Sequence, residues 1–404
     1  MTGPLDGVRV VELTQGLSGP YCSMLLSDAG ASVTKIEPPG GDYARGYGPP
    51  FIGDEGAQFL ELNRNKRGMV LDIERAEGRL VLERLLLDAD VLVTDFNPAR
   101  AAELDLAYDA IERVNSRIVQ CNITPFGERG PMADQPGAEL VIQGMAEYTA
   151  SVGTTGEPPV RLGADVAQLN TGAQAVQGIL AALLMRERTG EGQFVDVNML
   201  RTLMHLRGMM WTSHSEGADD WWGFHQDTYV KPADHGYRTS DGSLLIGGMG
   251  GVAEEEFDAL LRDLGIPESV KEDPRWANNG AGVLGGPSRF GWEVVDVWEQ
   301  ALKDKTSAEV MEILDAHGLN GFPVNSYEAL FADPQVDEIG MEQAVTHPEI
   351  GAYRTLGAPW IFAETPAAIR EPAPMQGEHT DSVLVEAGYS QGEIDELRQA
   401  GVVH

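Results

Sequence analysis

The chain has 404 residues, 42% of them hydrophobic and 23% charged, which is enough to bury a full core and form about two domains. Its 63 acidic and 29 basic side chains leave a formal charge of −34. A field of that sign repels polyanions and argues against nucleic acid and anionic membrane surfaces as partners, so any anionic ligand needs a local basic site.

The longest apolar run, residues 178–185, is well short of the roughly 20 residues that span a bilayer. Residues 1–7 lack a basic-then-apolar leader, and the expectation is a cytoplasmic protein. Cys22 and Cys121 are the only cysteines. They show neither the spacing of a zinc site nor the density of a disulfide scaffold, so neither a disulfide nor a structural metal is expected.

In chain order, β-branched runs alternate with amphipathic segments. Residues 8–13 predict a strand, 21–29 a helix, 32–37 a strand, 77–87 a helix, 90–94 a strand, 107–114 a helix and 117–123 a strand. Units of this spacing imply a parallel sheet with right-handed crossovers. From Gly172, Val176, Ile179, Leu180, Leu183 and Leu184 recur at helical spacing until Thr189-Gly-Glu-Gly192 stops the helix before a strand at 194–199.

Residues 213–235, rich in Trp, His, Asp and Gly, read as a linker after a first part spanning 1–212. A smaller α+β domain follows over 236–325, with a hairpin at 237–246 and helices at 254–264 and 307–317. The proline-punctuated stretch 333–378 reads as extended, and 381–400 as helix.

Glu12-Leu-Thr-Gln-Gly-Leu-Ser-Gly-Pro20 after the first strand does not fit G-x-G-x-x-G, which argues against a standard nicotinamide site. Gly19 and Pro20 still leave backbone N–H groups of a helix start facing the strand ends, and a structural turn and a ligand loop fit equally. Arg64, Lys66 and Arg67 form the densest basic cluster, able to neutralise a phosphorylated ligand or simply to solvate a turn. No histidine has metal-ligand spacing, and His235 reads as structural. Trp211, Trp221, Trp222 and Phe224 fit either an apolar substrate pocket or core packing.

Leu5-Asp-Gly-Val-Arg-Val-Val-Glu-Leu13, Ser18-Gly-Pro20, Asp28-Ala-Gly-Ala-Ser-Val-Thr-Lys-Ile-Glu-Pro38, Gly40-Gly-Asp42 and Asn65-Lys-Arg67, taken together, closely resemble the opening of class III CoA-transferases of the formyl-CoA and carnitine type. The likeness continues through Phe126-Gly-Glu-Arg-Gly-Pro131, Gly178-Ile-Leu-Ala-Ala-Leu183, Arg188-Thr-Gly-Glu-Gly-Gln-Phe-Val-Asp-Val197 and Tyr237-Arg-Thr-Ser-Asp-Gly242, nearly the whole chain.

The resemblance implies an α/β protein: an open parallel-sheet large domain completed by a return segment at 326–404, a smaller α+β domain, and two chains interlocked as a ring-like dimer. It also implies a CoA thioester and a carboxylic acid as substrates, with no covalently bound cofactor. The family's chemistry is nucleophilic: an aspartate attacks the thioester and passes through a mixed anhydride to an aspartyl-CoA thioester.

The family places that aspartate four residues before the glycine that here is Gly172, so the corresponding position is Gln168. A neutral amide cannot form the anhydride at a useful rate. Asp165, three residues earlier, is the nearest substitute. A second departure lies in Asp95-Phe-Asn-Pro-Ala-Arg-Ala-Ala-Glu103, where the family usually has asparagine first and arginine last, both near the CoA nucleotide. Two acids there oppose a polyanion unless Arg100 compensates.

The remaining contacts implied for CoA are Leu17, Lys66, Arg67, Phe96 and Met199. The resemblance thus points to the non-catalytic subunit of a heteromeric transferase, partnered by a homologous subunit that carries the aspartate. The alternatives are a self-sufficient transferase using Asp165, an acyl-CoA racemase or isomerase, for which the segment Gly137-Ala-Glu139 offers no histidine, and a non-enzymatic scaffold.

Overall fold

A computed structural model describes residues 3–150, 158–208, 236–247, 253–277 and 294–404. Contacts divide the chain into a large unit, Met1–Tyr148 with Arg161–Arg207 and Gln335–His404, and a smaller one, Thr149–Val160 with Gly208–Pro334.

The large unit is built on six parallel strands: β1 (Arg9–Glu12), β2 (Ser32–Glu37), β3 (Lys66–Val70), β4 (Val91–Thr94), β5 (Val119–Thr124) and β6 (Gln193–Asn198). Their spatial order is β3-β2-β1-β4-β5-β6, so the direction of winding reverses between β1 and β4. Open sheets of this kind leave a crevice beyond the carboxyl ends of the strands at that reversal.

Both faces are covered, which is why β4 reads as an unbroken buried run and not as an alternation. One face packs Val10, Val33, Val91 and Val119 against helix α1 (Ser18–Asp28), and the other packs Val11, Ile36 and Leu92 against α2 (Ala76–Leu86) and α3 (Tyr108–Val114). Each such side chain contributes about 1.5–3 kcal/mol on burial.

Two further helices matter for the site, α4 (Glu139–Met145) and the 24-residue α5 (Val166–Thr189). Helix α5 crosses α1 at Gly172, where an added Cβ would lie 2.5 Å from the Ser18 carbonyl oxygen and 3.2 Å from the Cys22 nitrogen. The glycine therefore sets how closely the two helices approach.

The strand β3 is absent from the sequence reading, because its first residues, Lys66 and Arg67, resemble a basic turn. It forms because Lys66 has buried partners for its charge. The stretch expected to be extended contains an antiparallel hairpin, Glu342–His347 with Gly351–Leu356, turned at Gly351 in the left-handed region (φ 86°). The expected C-terminal helix is two helices, Thr380–Glu386 and Gln391–Gln399. Gly388 breaks it at φ 86°, and Ser390 starts the second helix with a capping box to Glu393.

In the smaller unit, strands Tyr237–Arg238, Ser243–Gly247 and Asn320–Pro323 form one antiparallel sheet. Helices Glu254–Leu264, Val295–Leu302 and Ser307–Ala316 pack around Phe257, Trp276 and the fully buried Trp298. The aromatic residues Trp211, Trp221, Trp222 and Phe224, and His235, lie outside the described residues, as does the whole of the expected linker at 213–235.

Candidate active site

The crevice at the winding reversal is lined by the loop after β1 and the loop after β4. Asp95 accepts the Gln15 N–H at 3.0 Å, and Asp42 accepts the Gly16 N–H at 3.0 Å. Gly16 is at φ 79° and faces the Tyr43 hydroxyl so closely that a Cβ would overlap it. Leu17, buried, begins α1 at a helix end with no side-chain cap and no acid in its first turn. Burial pushes the Asp95 carboxyl up to about 7, against the Gln15 N–H and Lys35, which favour its anion.

Beneath this floor lies a closed set of charges. Lys35 reaches Glu12 at 3.0 Å and Asp42 at 2.8 Å, and Lys66 reaches the other Glu12 oxygen at 2.9 Å. Burial opposes the ionised Glu12, yet the two ammonium groups and the Ser23 hydroxyl hold it at about 2. Burial lowers Lys66 to about 8, with Glu12 working against the shift. The Lys66 ammonium also donates to the Pro20 carbonyl and the Asn63 side chain.

The ends of β5 and β6 continue the crevice. Asn122 donates to the Phe96 carbonyl at 2.8 Å and to Glu128 at 2.5 Å, and accepts from Thr94. Burial and the neighbouring Asp196 and Asp134 raise the Glu128 carboxyl. The wall is thus acidic beyond what Asp95 and Glu103 alone imply.

The start of α5 carries position 168. Glu139, 6% exposed, accepts the Ala167 N–H and the Gln168 N–H on its two oxygens, both at 2.9 Å, and the Gln143 amide at 2.7 Å. Asp165 precedes the helix without capping it and pairs with Arg161 at 3.2 Å. Met199, buried, packs with Ala167, Ile142 and Leu203 against the same turn.

The structure brings Leu17, Asp95 and Phe96 to the strand-end crevice, and Gln168, Asp165 and Met199 to the start of α5. It does not bring Lys66 or Arg67 to either. Lys66 is enclosed and fully partnered, so it has no donor for a phosphate. Arg67 lies at the amino end of β3, opposite Thr34 of β2, and pairs with Glu386 at 2.6 Å. Arg100 is held by Glu74 and, at 2.8 Å, by Glu103, so its charge is already spoken for.

Glu139 was not legible as a site residue: the α5 donors it meets lie 28 and 29 positions away, and no local spacing encodes that contact. Among the described residues no cluster of His, Cys, Asp and Glu is arranged to hold a metal ion, and no helix is long and apolar enough to cross a membrane.

A family model for CoA-transferase family III matches residues 5–380. Succinyl-CoA:glutarate CoA-transferase of Mus musculus is 30% identical over 404 residues, covering 99% of this chain and 90% of the relative. The protein named succinyl-CoA:(R)-benzylsuccinate CoA-transferase subunit BbsE, of Thauera aromatica, is 31% identical over 98% of this chain and 97% of its own length. Among solved structures, a CAIB/BAIF family protein from Brucella suis superposes with a TM-score of 0.83 at 28% identity, covering 96% of this chain and all of that one.

Proposed function

The chain belongs to CoA-transferase family III, and from that premise we propose that it is the subunit of a heteromeric transferase that lacks the nucleophile. The reaction moves CoA from an acyl-CoA donor to a carboxylic acid. The relatives' names favour succinyl-CoA as donor and a dicarboxylic or aromatic acid as acceptor. One of those relatives is, by name, a subunit of a larger enzyme.

The observation that carries this reading is Gln168. The turn that carries it is half-buried and tightly bonded, yet its side chain is an amide, whose delocalised lone pairs do not attack a thioester. Neither neighbouring carboxylate replaces it well. Asp165 is paired with Arg161, and Glu139 is bound to three donors, which lowers the nucleophilicity of both.

The acidic crevice supports the same reading. Asp95 stands where a CoA phosphate or ribose gains from a neutral or cationic partner, so CoA binds this chain more weakly than it binds a subunit with asparagine there.

Native mass spectrometry of the protein purified from its own source tests the assignment. The expected result is a complex with a second, homologous chain that has aspartate at the position matching Gln168. A complex containing only this chain, active as a transferase, would overturn it and favour Asp165 as the nucleophile.

A further inference from the structure

Helix α5 is held at its start by a carboxylate from another helix. An ordinary helix start takes a Ser, Thr, Asp or Asn cap from its own chain, and Asp165, at that position, makes no such bond. Glu139 supplies the negative charge instead, with one oxygen on the Ala167 N–H and the other on the Gln168 N–H. This is the favourable arrangement at the positive end of a helix dipole, and charge-assisted bonds of this kind are the strong ones.

Gln143, one turn along α4, closes the other side. Its amide donates to Glu139 and, at 3.3 Å, to the Ala164 carbonyl, and its oxygen accepts the Leu162 N–H at 3.1 Å. Two side chains on one face of α4 therefore fix the backbone on both sides of Asp165, through to residue 168.

We propose that Glu139 is a positioning residue that holds the backbone of position 168 in the geometry of a nucleophile, and that the single exchange Gln168→Asp restores the covalent step. This rests on the reading of position 168 as a vacated nucleophile site. Reactive groups must sit within about an ångström of their attack geometry, and a buried carboxylate bonded to two consecutive amides supplies that constraint.

In the Gln168→Asp variant the introduced carboxylate attacks the thioester carbonyl of succinyl-CoA and CoA leaves as the thiolate, giving a mixed anhydride. The thiolate then attacks the enzyme-side carbonyl of the anhydride and expels succinate, leaving CoA bound to the protein as a thioester. No oxidant or reductant is consumed.

Two measurements on the full chain test the proposal. Amide hydrogen exchange compares the native chain with Glu139→Gln. Exchange at residues 167 and 168 is expected to accelerate at least tenfold while residues 176–186 keep their rates, and unchanged exchange at 167 and 168 would overturn the clamp. Gln143→Ala leaves the carboxylate in place but frees Leu162 and Ala164, so it moves exchange in the same direction by less and serves if Glu139→Gln does not fold.

The second measurement follows the covalent CoA adduct by intact mass after adding succinyl-CoA to Gln168→Asp, alone and combined with Glu139→Gln. The combined variant is expected to form adduct at least tenfold more slowly at saturation, with the half-saturating concentration changed less than twofold, a split that general destabilisation does not produce. Equal saturating rates would overturn the positioning role. Absence of adduct in Gln168→Asp, with exchange confirming the clamp, would instead overturn the reading of position 168 given above.

Discussion

Asp95 shows how one side chain tunes the crevice. Burial disfavours the anion and pushes its carboxyl up to about 7, well above the ordinary aspartate value of about 4. The folded value is the higher, so the native state keeps a proton that the unfolded chain has already released between about pH 4 and pH 7. Stability from this group is therefore present below pH 4 and is lost as pH rises through 7. Urea titrations across that range should show the loss in the native chain and a flatter profile in Asp95→Asn. The same exchange removes a negative charge from the crevice. We expect calorimetry to find CoA bound about tenfold more tightly by Asp95→Asn at pH 8, a gain of about 1.4 kcal/mol, and no difference at pH 5.5, where the native side chain is already neutral.

At the scale of elements, the crossing of α1 and α5 ties the start of one helix to the helix that bears position 168. Gly172→Ala would push a methyl group to within 2.5 Å of the Ser18 carbonyl, and neither helix backbone can yield cheaply. We expect a loss of about 1–3 kcal/mol in chemical denaturation, typical of overpacking. A shift within experimental error would mean that the helices slide apart freely. Most of these elements were legible in the sequence, since buried parallel strands and long amphipathic helices leave strong periodic signals. The exceptions have physical causes. Strand β3 opens with a lysine whose charge is neutralised by Glu12, a residue 54 positions away, and the 342–356 hairpin lies among prolines that read as extended chain. Gln168 was found by register against the family pattern, whereas Glu139 acts across a tertiary contact that no spacing rule encodes, and the enclosure of Lys66 was equally hidden.

At the scale of the whole molecule, the chain keeps the family fold, and Gln168, on our proposal, occupies the place of a vacated nucleophile. Its formal charge of −34 makes local neutralisation the main obstacle to binding a polyanion, and the crevice adds acids where it needs cations. On the proposed reading, activity requires pairing with a homologous subunit that supplies the aspartate. The most direct test is to incubate the purified chain alone with succinyl-CoA and a dicarboxylic acid, then measure its intact mass and any new acyl-CoA. The account predicts no covalent CoA adduct and no transfer. A CoA adduct mapped to Asp165 or Glu139, together with turnover, would contradict it.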